Sequence, residues 1–553
     1  MEQIGFANFR KFANFPPLDL APITILVGEN NAGKSTVVKG ILALSDFLNS
    51  PQRYSIVDLD SFDSVDEFLE DNRDDRIVKR QKMNLGFLKN IKFNFNTSYL
   101  AHIGTFKRAL YNRADNNAIT LKTKLDNLII SFVIKGNPND EEAVSGTVTD
   151  IMVFIDLINV SLHFNLAEDK ATITFHPNNN FKPTTIDKTQ RREKYFSSFD
   201  APVSFEMNIS CYWFAFRGDL VFSLIQSVEN AVNATLFPLP KEVDNVEERE
   251  YVSFRRRHLG GSKPIEGISL EKMDFLKSFS SIFRPNNSES NEDDIEMKYE
   301  PFHFPGVNLR RFFNSGVNIE YLYAHAVTQT VIYSAKDTND YLSRTIHEFA
   351  SQKEQPYKRD FITKWMKEFS IGKDYVMRSV GGEAHTVQIV NSDGEKVNLA
   401  DKGMGSIQLM VLLFRLAISL PSKQALRSHQ GSGNKKMMSN GIIIIEEPEQ
   451  NLHPMLQSKL ADLLYNLYDI YGYRFIIETH SEYLIRKTQV IVKENFNDEK
   501  HPLKENPFKV YYFNSSDSDK PYYEIIYQKD GSFSNDFGKG FFDEASNLAF
   551  EIL

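Results

Sequence analysis

Gly28-Glu29-Asn30-Asn31-Ala32-Gly33-Lys34-Ser35 fits the glycine-rich phosphate loop, in which small residues let the backbone curl and turn its N–H groups toward phosphate oxygens. Ahead of it, Ile23 to Val27 is a short apolar run that reads as a strand. Behind it, a helix is predicted from near Gly33 to Leu48, and its N-terminus adds partial positive charge. Within this frame Gly28, Asn30, Asn31, Ala32, Gly33, Lys34, Ser35 and Thr36 are expected to bind a nucleoside triphosphate. Lys34 would reach the β and γ phosphates, and the Ser35 hydroxyl would hold Mg²⁺. An octapeptide of this pattern can arise by chance in a loop. A strand before it and a helix after it argue against chance here.

Two later stretches extend the same chemistry. In Ile442-Ile-Ile-Ile-Glu446-Glu447-Pro448, four apolar residues form a strand buried on both faces and deliver two carboxylates at its C-terminal end. Ligands of α/β sheets bind at that edge. Glu446 is expected to hold Mg²⁺, and Glu447 to orient the attacking water. In Phe475-Ile-Ile-Glu478-Thr479-His480-Ser481 a second strand ends in polar residues. His480 lies 33 residues after Glu447, where a histidine facing the γ-phosphate sits in one class of nucleotide hydrolases.

Length, 553 residues, allows roughly three domain-sized units. The composition, 41% hydrophobic and 25% charged, is that of a folded soluble chain. The longest apolar run, Ile407 to Leu420, is interrupted by Gln408 and Arg415, so no membrane helix is expected. The N-terminus lacks a signal-peptide layout, which points to the cytoplasm. One cysteine, Cys211, excludes an intrachain disulfide. A net charge of -9 does not advertise nucleic acid, although basic clusters occur at Arg76, Lys79, Arg80 and Lys82 and at Arg255 to His258.

Between the first helix and the next motif lie about 365 residues, too many for a plain connection. Ile91, Phe93 and Phe95, then Leu162 and Phe164, then Ile173 and Phe175 alternate as strands do, with a turn over Ala167 to Lys170. Leu220, Val221, Leu224, Ile225, Val228, Val232 and Leu236 follow helical spacing. Pro285 to Asp294 and Ser428 to Asn440 read as connectors. A leucine stripe from Leu456 to Leu467, stopped near Gly472, and a helix from Tyr483 complete an alternating α/β C-terminal part.

These motifs resemble the ABC-type ATPase heads of the structural-maintenance, RecF and overcoming-lysogenization-defect (OLD) families, over roughly residues 1–50 and 320–553. The resemblance implies an α/β fold: an ABC-type P-loop ATPase head, a mixed sheet flanked by helices, with a large α+β insertion between phosphate loop and signature motif. It implies head segments at 1–60 and 321–500, an inserted partner or dimerisation region at 61–320, and a small C-terminal extension at 501–553. Asn8-Phe9-Arg10-Lys11-Phe12 is similar to the opening strand, where Arg10 would approach the nucleotide. Glu446-Glu447-Pro448-Glu449-Gln450-Asn451-Leu452-His453-Pro454 is similar to the OLD-like branch, in which Glu replaces the usual Asp, with Glu449 to His453 as the loop crossing a dimer interface. Gly403-Met404-Gly405-Ser406-Ile407-Gln408 departs from the transporter signature but matches the looser Gly-x-Gly-x-x-Gln form, so Gly403, Gly405 and Ser406 would meet the γ-phosphate held by a second copy. Gln81 is a candidate, by position, for the lobe-coupling glutamine.

The function implied is hydrolysis of ATP with Mg²⁺ and a homodimer closed around two ATP molecules, able to assemble further. Nuclease members of the OLD family carry a later Asp-x-Asp on a metal-binding domain. Here Asp517-Ser518-Asp519 lies in a polar turn with too little chain after it to build one. The chain is instead similar to stand-alone ATPase subunits of Septu-type anti-phage defence, also associated with retrons. Their implied partners are a separate HNH-type nuclease and a reverse transcriptase with its msDNA, with nucleic acid contact left open. The alternative is a RecF/SMC-like clamp of DNA repair or recombination.

Overall fold

The computed structural model describes residues 1–49, 91–96, 101, 103–177, 201–209, 220–236, 264–282, 303–304, 319–322, 330–334, 336, 340–352, 355–421, 441–496, 505–514, 520–538 and 541–552. Both expected connectors, both basic clusters, Gln81, Cys211 and the Asp517–Asp519 turn lie outside them. The chain folds as two compact units: Met1–Asp19 with Lys39–Gly316, and Leu20–Val38 with Val317–Leu553.

The chain opens with β1 (Gln3–Phe9), β2 (Phe12–Asp19), β3 (Ile23–Gly28) and α1 (Lys34–Asn49). Next come β4 (Lys92–Asn94), β5 (Ala118–Leu125), β6 (Leu128–Lys135), β7 (Ser145–Ile155), β8 (Val160–Asn165), β9 (Lys170–Phe175) and β10 (Val203–Asn208), then α2 (Leu220–Leu236) and α3 (Leu270–Ile282). In the first unit all these strands except β3 form one nine-stranded antiparallel sheet, ordered β10-β9-β8-β7-β6-β5-β1-β2, with β4 on β7. Alternation drives it. Along β9, Ala171, Ile173 and Phe175 are buried while the residues between them are half-buried. The expected turn closes the β8–β9 hairpin. There the Asn165 carboxamide accepts from the Ala167 and Glu168 N–H groups at 3.1 Å each, and Asp169 takes the left-handed conformation.

β1 pairs with β5 over five residues and joins the sheet of the first unit, and residues 39–49 of α1 belong to that unit too. Local pattern cannot reveal this, because a strand's partner is not written in its own alternation.

In the second unit follow β11 (Ile319–Leu322), β12 (Tyr333–Ser334), α4 (Tyr341–Ser351), α5 (Pro356–Glu368), β13 (Asp374–Val380), β14 (Ala384–Val390) and β15 (Lys396–Asn398). The chain continues with α6 (Met404–Ser419), β16 (Ile442–Glu446), α7 (Pro454–Tyr471), β17 (Arg474–Glu478), α8 (Glu482–Phe496), β18 (Phe508–Phe513), β19 (Tyr522–Ile525) and α9 (Glu544–Ile552). Its main sheet runs β11-β16-β17-β3-β18-β19, parallel except for β19. Every residue of β3 is buried, as are Ile442 to Ile445 and Phe475 to Ile477. That is the apolar run a strand covered on both faces requires. Gly472, at φ +71, stops α7 where the leucine stripe ends. The strands β12 to β15 form a separate four-stranded antiparallel sheet.

Two features fix the functional edge. β18, in the segment expected to be an extension, lies beside β3 in register from Phe508↔Ile23 to Phe513↔Gly28. Helix α6 is apolar nearly all round, so it is a core helix. Its one strong charge, Arg415, pairs with Glu320 of β11 and Glu348 of α4. The guanidinium is half-buried, and its pairing with two carboxylates favours one rotation of α6. Among the described residues no helix is long and apolar enough to cross a membrane.

Candidate functional site

Parallel strands put all their carboxyl ends at one edge, so β3, β16 and β17 deliver three distant motifs to one place. The loop after β3 needs unusual backbone angles. Gly28 is at φ +133, Asn31 at +61 and Gly33 at +107. A Cβ on Gly28 would overlap the backbone of Phe513, so only glycine fits beside β18. α1 then begins at Lys34, with the Thr36 N–H on the Gly33 carbonyl at 2.9 Å. Lys34 is buried, and its ammonium donates to the carbonyls of Gly28 at 3.0 Å and Glu29 at 2.9 Å.

The Ser35 hydroxyl donates to both oxygens of the Glu478 carboxylate, at 3.0 and 3.1 Å. Glu478 ends β17 in register with Glu446, which ends β16, so both side chains leave the sheet on the same side. Burial, and then the charge of Glu446, push the Glu478 carboxyl up to about 7; Lys34 and Ser35 pull the other way. The sequence motifs single out His480 and pass over Glu478. The signal is nonetheless present: an acid closing a buried strand at the same position as Glu446.

Glu447 follows β16 at φ +44, a conformation that costs a non-glycine residue about 1–3 kcal/mol. Its N–H donates to the Glu478 carbonyl at 2.7 Å, and its carboxylate accepts from the Gln450 amide. His480 follows β17 with its side chain partly in solvent. Partial burial, and then the charge of Lys34, hold its imidazole below the usual value, against the pull of Glu447. Lys34, Ser35, Glu446, Glu447 and His480 are thus gathered at one sheet edge, with Glu478 among them.

The Gly403–Ser406 segment caps α6. Gly403 is its N-cap, and the Ser406 N–H returns to the Gly403 carbonyl at 2.8 Å. Among the described residues, a Cβ on Gly403 would meet nothing within 4 Å, so none of them demands glycine there. Gly405 differs: a Cβ would lie 2.5 Å from the Asn451 carbonyl oxygen, so its smallness serves packing within the chain. Lys402 ties the loop down, its ammonium donating to Asn391 at 2.7 Å and to the Ile371 carbonyl at 3.3 Å. Arg10 belongs to the first unit, at φ +51 in the β1–β2 turn, with its N–H on the Ala109 carbonyl at 2.7 Å. Burial and the neighbouring Arg108 lower its basicity.

Ser35, Glu446 and Glu478 present a hydroxyl and two carboxylates, hard oxygen donors of the kind Mg²⁺ selects. Among the described residues no three or more His, Cys, Asp or Glu form a metal-holding group by themselves. A partial protein shell completed by phosphate oxygens and water is the usual arrangement for Mg²⁺ at a nucleotide.

Residues 1–485 match the AAA ATPase domain family. No curated protein sequence matches the chain significantly. Among solved structures, the Smc head domain with an extended coiled coil bound to the C-terminal domain of ScpA from Pyrococcus furiosus is 10% identical, covers 100% of this chain and 98% of its own, and gives a TM-score of 0.32. The SmcHead bound to the C-winged helix domain of ScpA gives 8%, 95%, 97% and 0.33. The SMC head domain from Thermotoga maritima gives 7%, 95%, 98% and 0.29. Likenesses at this level carry no weight; the family match and the strand order carry the fold.

Proposed function

This chain belongs to the AAA ATPase domain family and is an α/β P-loop ATPase, and from that premise we propose that it is the ATP-hydrolysing subunit of a bacterial anti-phage defence complex, whose paired heads hold or gate a separate nuclease. One observation carries this: the chain divides its work. The nucleotide edge is assembled within the second unit, while the first is a broad antiparallel sheet, a body suited to holding another protein.

The chemistry follows from the edge. ATP enters the loop 28–36, and Lys34 leaves the Gly28 and Glu29 carbonyls for the β and γ phosphates, which offer stronger, charge-assisted bonds. Ser35 and Glu446, with Glu478 behind them, would hold Mg²⁺, which would supply charge neutralisation for the phosphates. Glu447 orients the attacking water, its carboxylate steadied by Gln450. His480 faces the γ-phosphate. The open Gly403 and the N-terminus of α6, with Ser406, meet the γ-phosphate of a second copy. Each site then needs two chains, so ATP binding closes a dimer and hydrolysis reopens it.

The test is an affinity pull-down of the tagged chain expressed with its native neighbouring genes. A co-purifying nuclease, HNH-type or other, supports the gated effector. A chain recovered with DNA alone replaces it by a RecF-like clamp. Metal-dependent DNA cleavage by the purified chain alone overturns the proposal.

A further inference from the structure

The turn after β16 holds a carboxylate with no role in the chemistry above. Glu449 is 9% exposed, and one of its oxygens accepts the backbone N–H of His480 at 2.6 Å. Two consecutive turns shape its segment, with the Gln450 N–H on the Glu447 carbonyl and the Leu452 N–H on the Glu449 carbonyl, both at 3.1 Å. His480 is therefore pinned from the inside by its main chain while its ring stays available. On the other side Thr479 is fully buried, its N–H on the Leu26 carbonyl at 3.2 Å. An anion in this position is costly, since burying a carboxylate without compensation costs several kcal/mol. Leucine or methionine would fill the volume more cheaply but would leave the His480 N–H without an acceptor.

The same turn reaches α6. The Asn451 carbonyl lies where a Cβ on Gly405 would be, and the Asn451 amide donates to Gln408 at 3.4 Å. One short segment therefore steadies Glu447 through Gln450, holds His480 through Glu449, and leans on the helix that carries the signature glycines.

We propose that Glu449 is a positioning residue for ATP hydrolysis, which sets the orientation of His480 by accepting its backbone N–H. The inference rests on His480 facing the γ-phosphate. It predicts that acceptor geometry matters at this position and charge does not.

The test uses steady-state ATPase kinetics and nucleotide binding of the full chain for E449M, E449Q, H480A and E449M/H480A. E449M should lower kcat by about 10- to 100-fold, the scale of a small misplacement of a reacting group, with KM for ATP within about twofold. E449Q, whose amide oxygen accepts the same N–H, should stay within about threefold of the parent. E449M/H480A should be no slower than H480A, because both changes remove one function. Should E449M fail to bind nucleotide, E449D, which withdraws the acceptor by one methylene, replaces it under the same criteria. Unchanged kcat in the variant used, losses that multiply with H480A, or an E449Q loss equal to that of E449M overturns the proposal. If H480A itself turns over normally, the placement of His480 is at fault and the inference falls with it.

Discussion

The two sheets of this chain solve the same burial problem differently. In the first unit, β5 to β9 follow one another along the chain and pair with their sequence neighbours, each hiding one face. In the second, the neighbours of β3 are β17 and β18, from far along the chain, and the apolar runs of β3, β16 and β17 are buried on both faces. An antiparallel sheet sends successive loops to opposite edges, which makes a surface. A parallel sheet sends every strand's carboxyl end to one edge, where widely spaced motifs can meet. The proposed chemistry therefore lies in the sheet whose strands come from farthest apart in the sequence, and the proposed docking lies in the other.

Substitutions can break or sharpen that contrast. Lys34→Ala should have the largest effect. Loss of charge-assisted bonds to two phosphates should weaken ATP binding by about 10²–10⁴-fold, measured by calorimetry, with the far-UV spectrum unchanged. Next, Phe164→Ala removes a fully buried ring from β8. It should cost the first unit about 3–5 kcal/mol in denaturant unfolding while kcat stays within about twofold. A large loss of kcat would show that the division of labour is false. Glu447→Gln should keep ATP binding, lower kcat by about 10²–10³-fold and trap a dimer seen by light scattering. Normal turnover in this variant would remove Glu447 from its role. Gly405→Ala should be smallest, costing about 1–3 kcal/mol of overpacking against Asn451, read as a lowered melting temperature of the second unit.

Much of the second sheet is legible because its strands are local signals. Ile23 to Val27, Ile442 to Ile445 and Phe475 to Ile477 each announce a buried strand, and each ends at the residues proposed for the chemistry. Helix α1 starts within one residue of its expected position, since glycine-rich turns punctuate clearly. What escapes is pairing. Nothing in Phe508 to Phe513 says that it lies against the phosphate-loop strand, and nothing in Gln3 to Phe9 says that it extends the inserted sheet. Glu478 escapes for the same reason: its closeness to Ser35 exists only once β17 and β3 are side by side.

The placement of β18 also bears on how the protein is made. A ribosome releases β3 early, as Ile-Thr-Ile-Leu-Val, a strand that is fully buried in the fold but has neither neighbour yet synthesised. At about 5–20 residues per second, roughly half a minute to a minute and a half passes before Phe513 emerges. During that interval the nascent strand has two open edges and a strong tendency to pair wrongly. The phosphate loop is thus the first of the motifs to be translated and the last to gain its support, so nascent chains should call on chaperones for longest around β3.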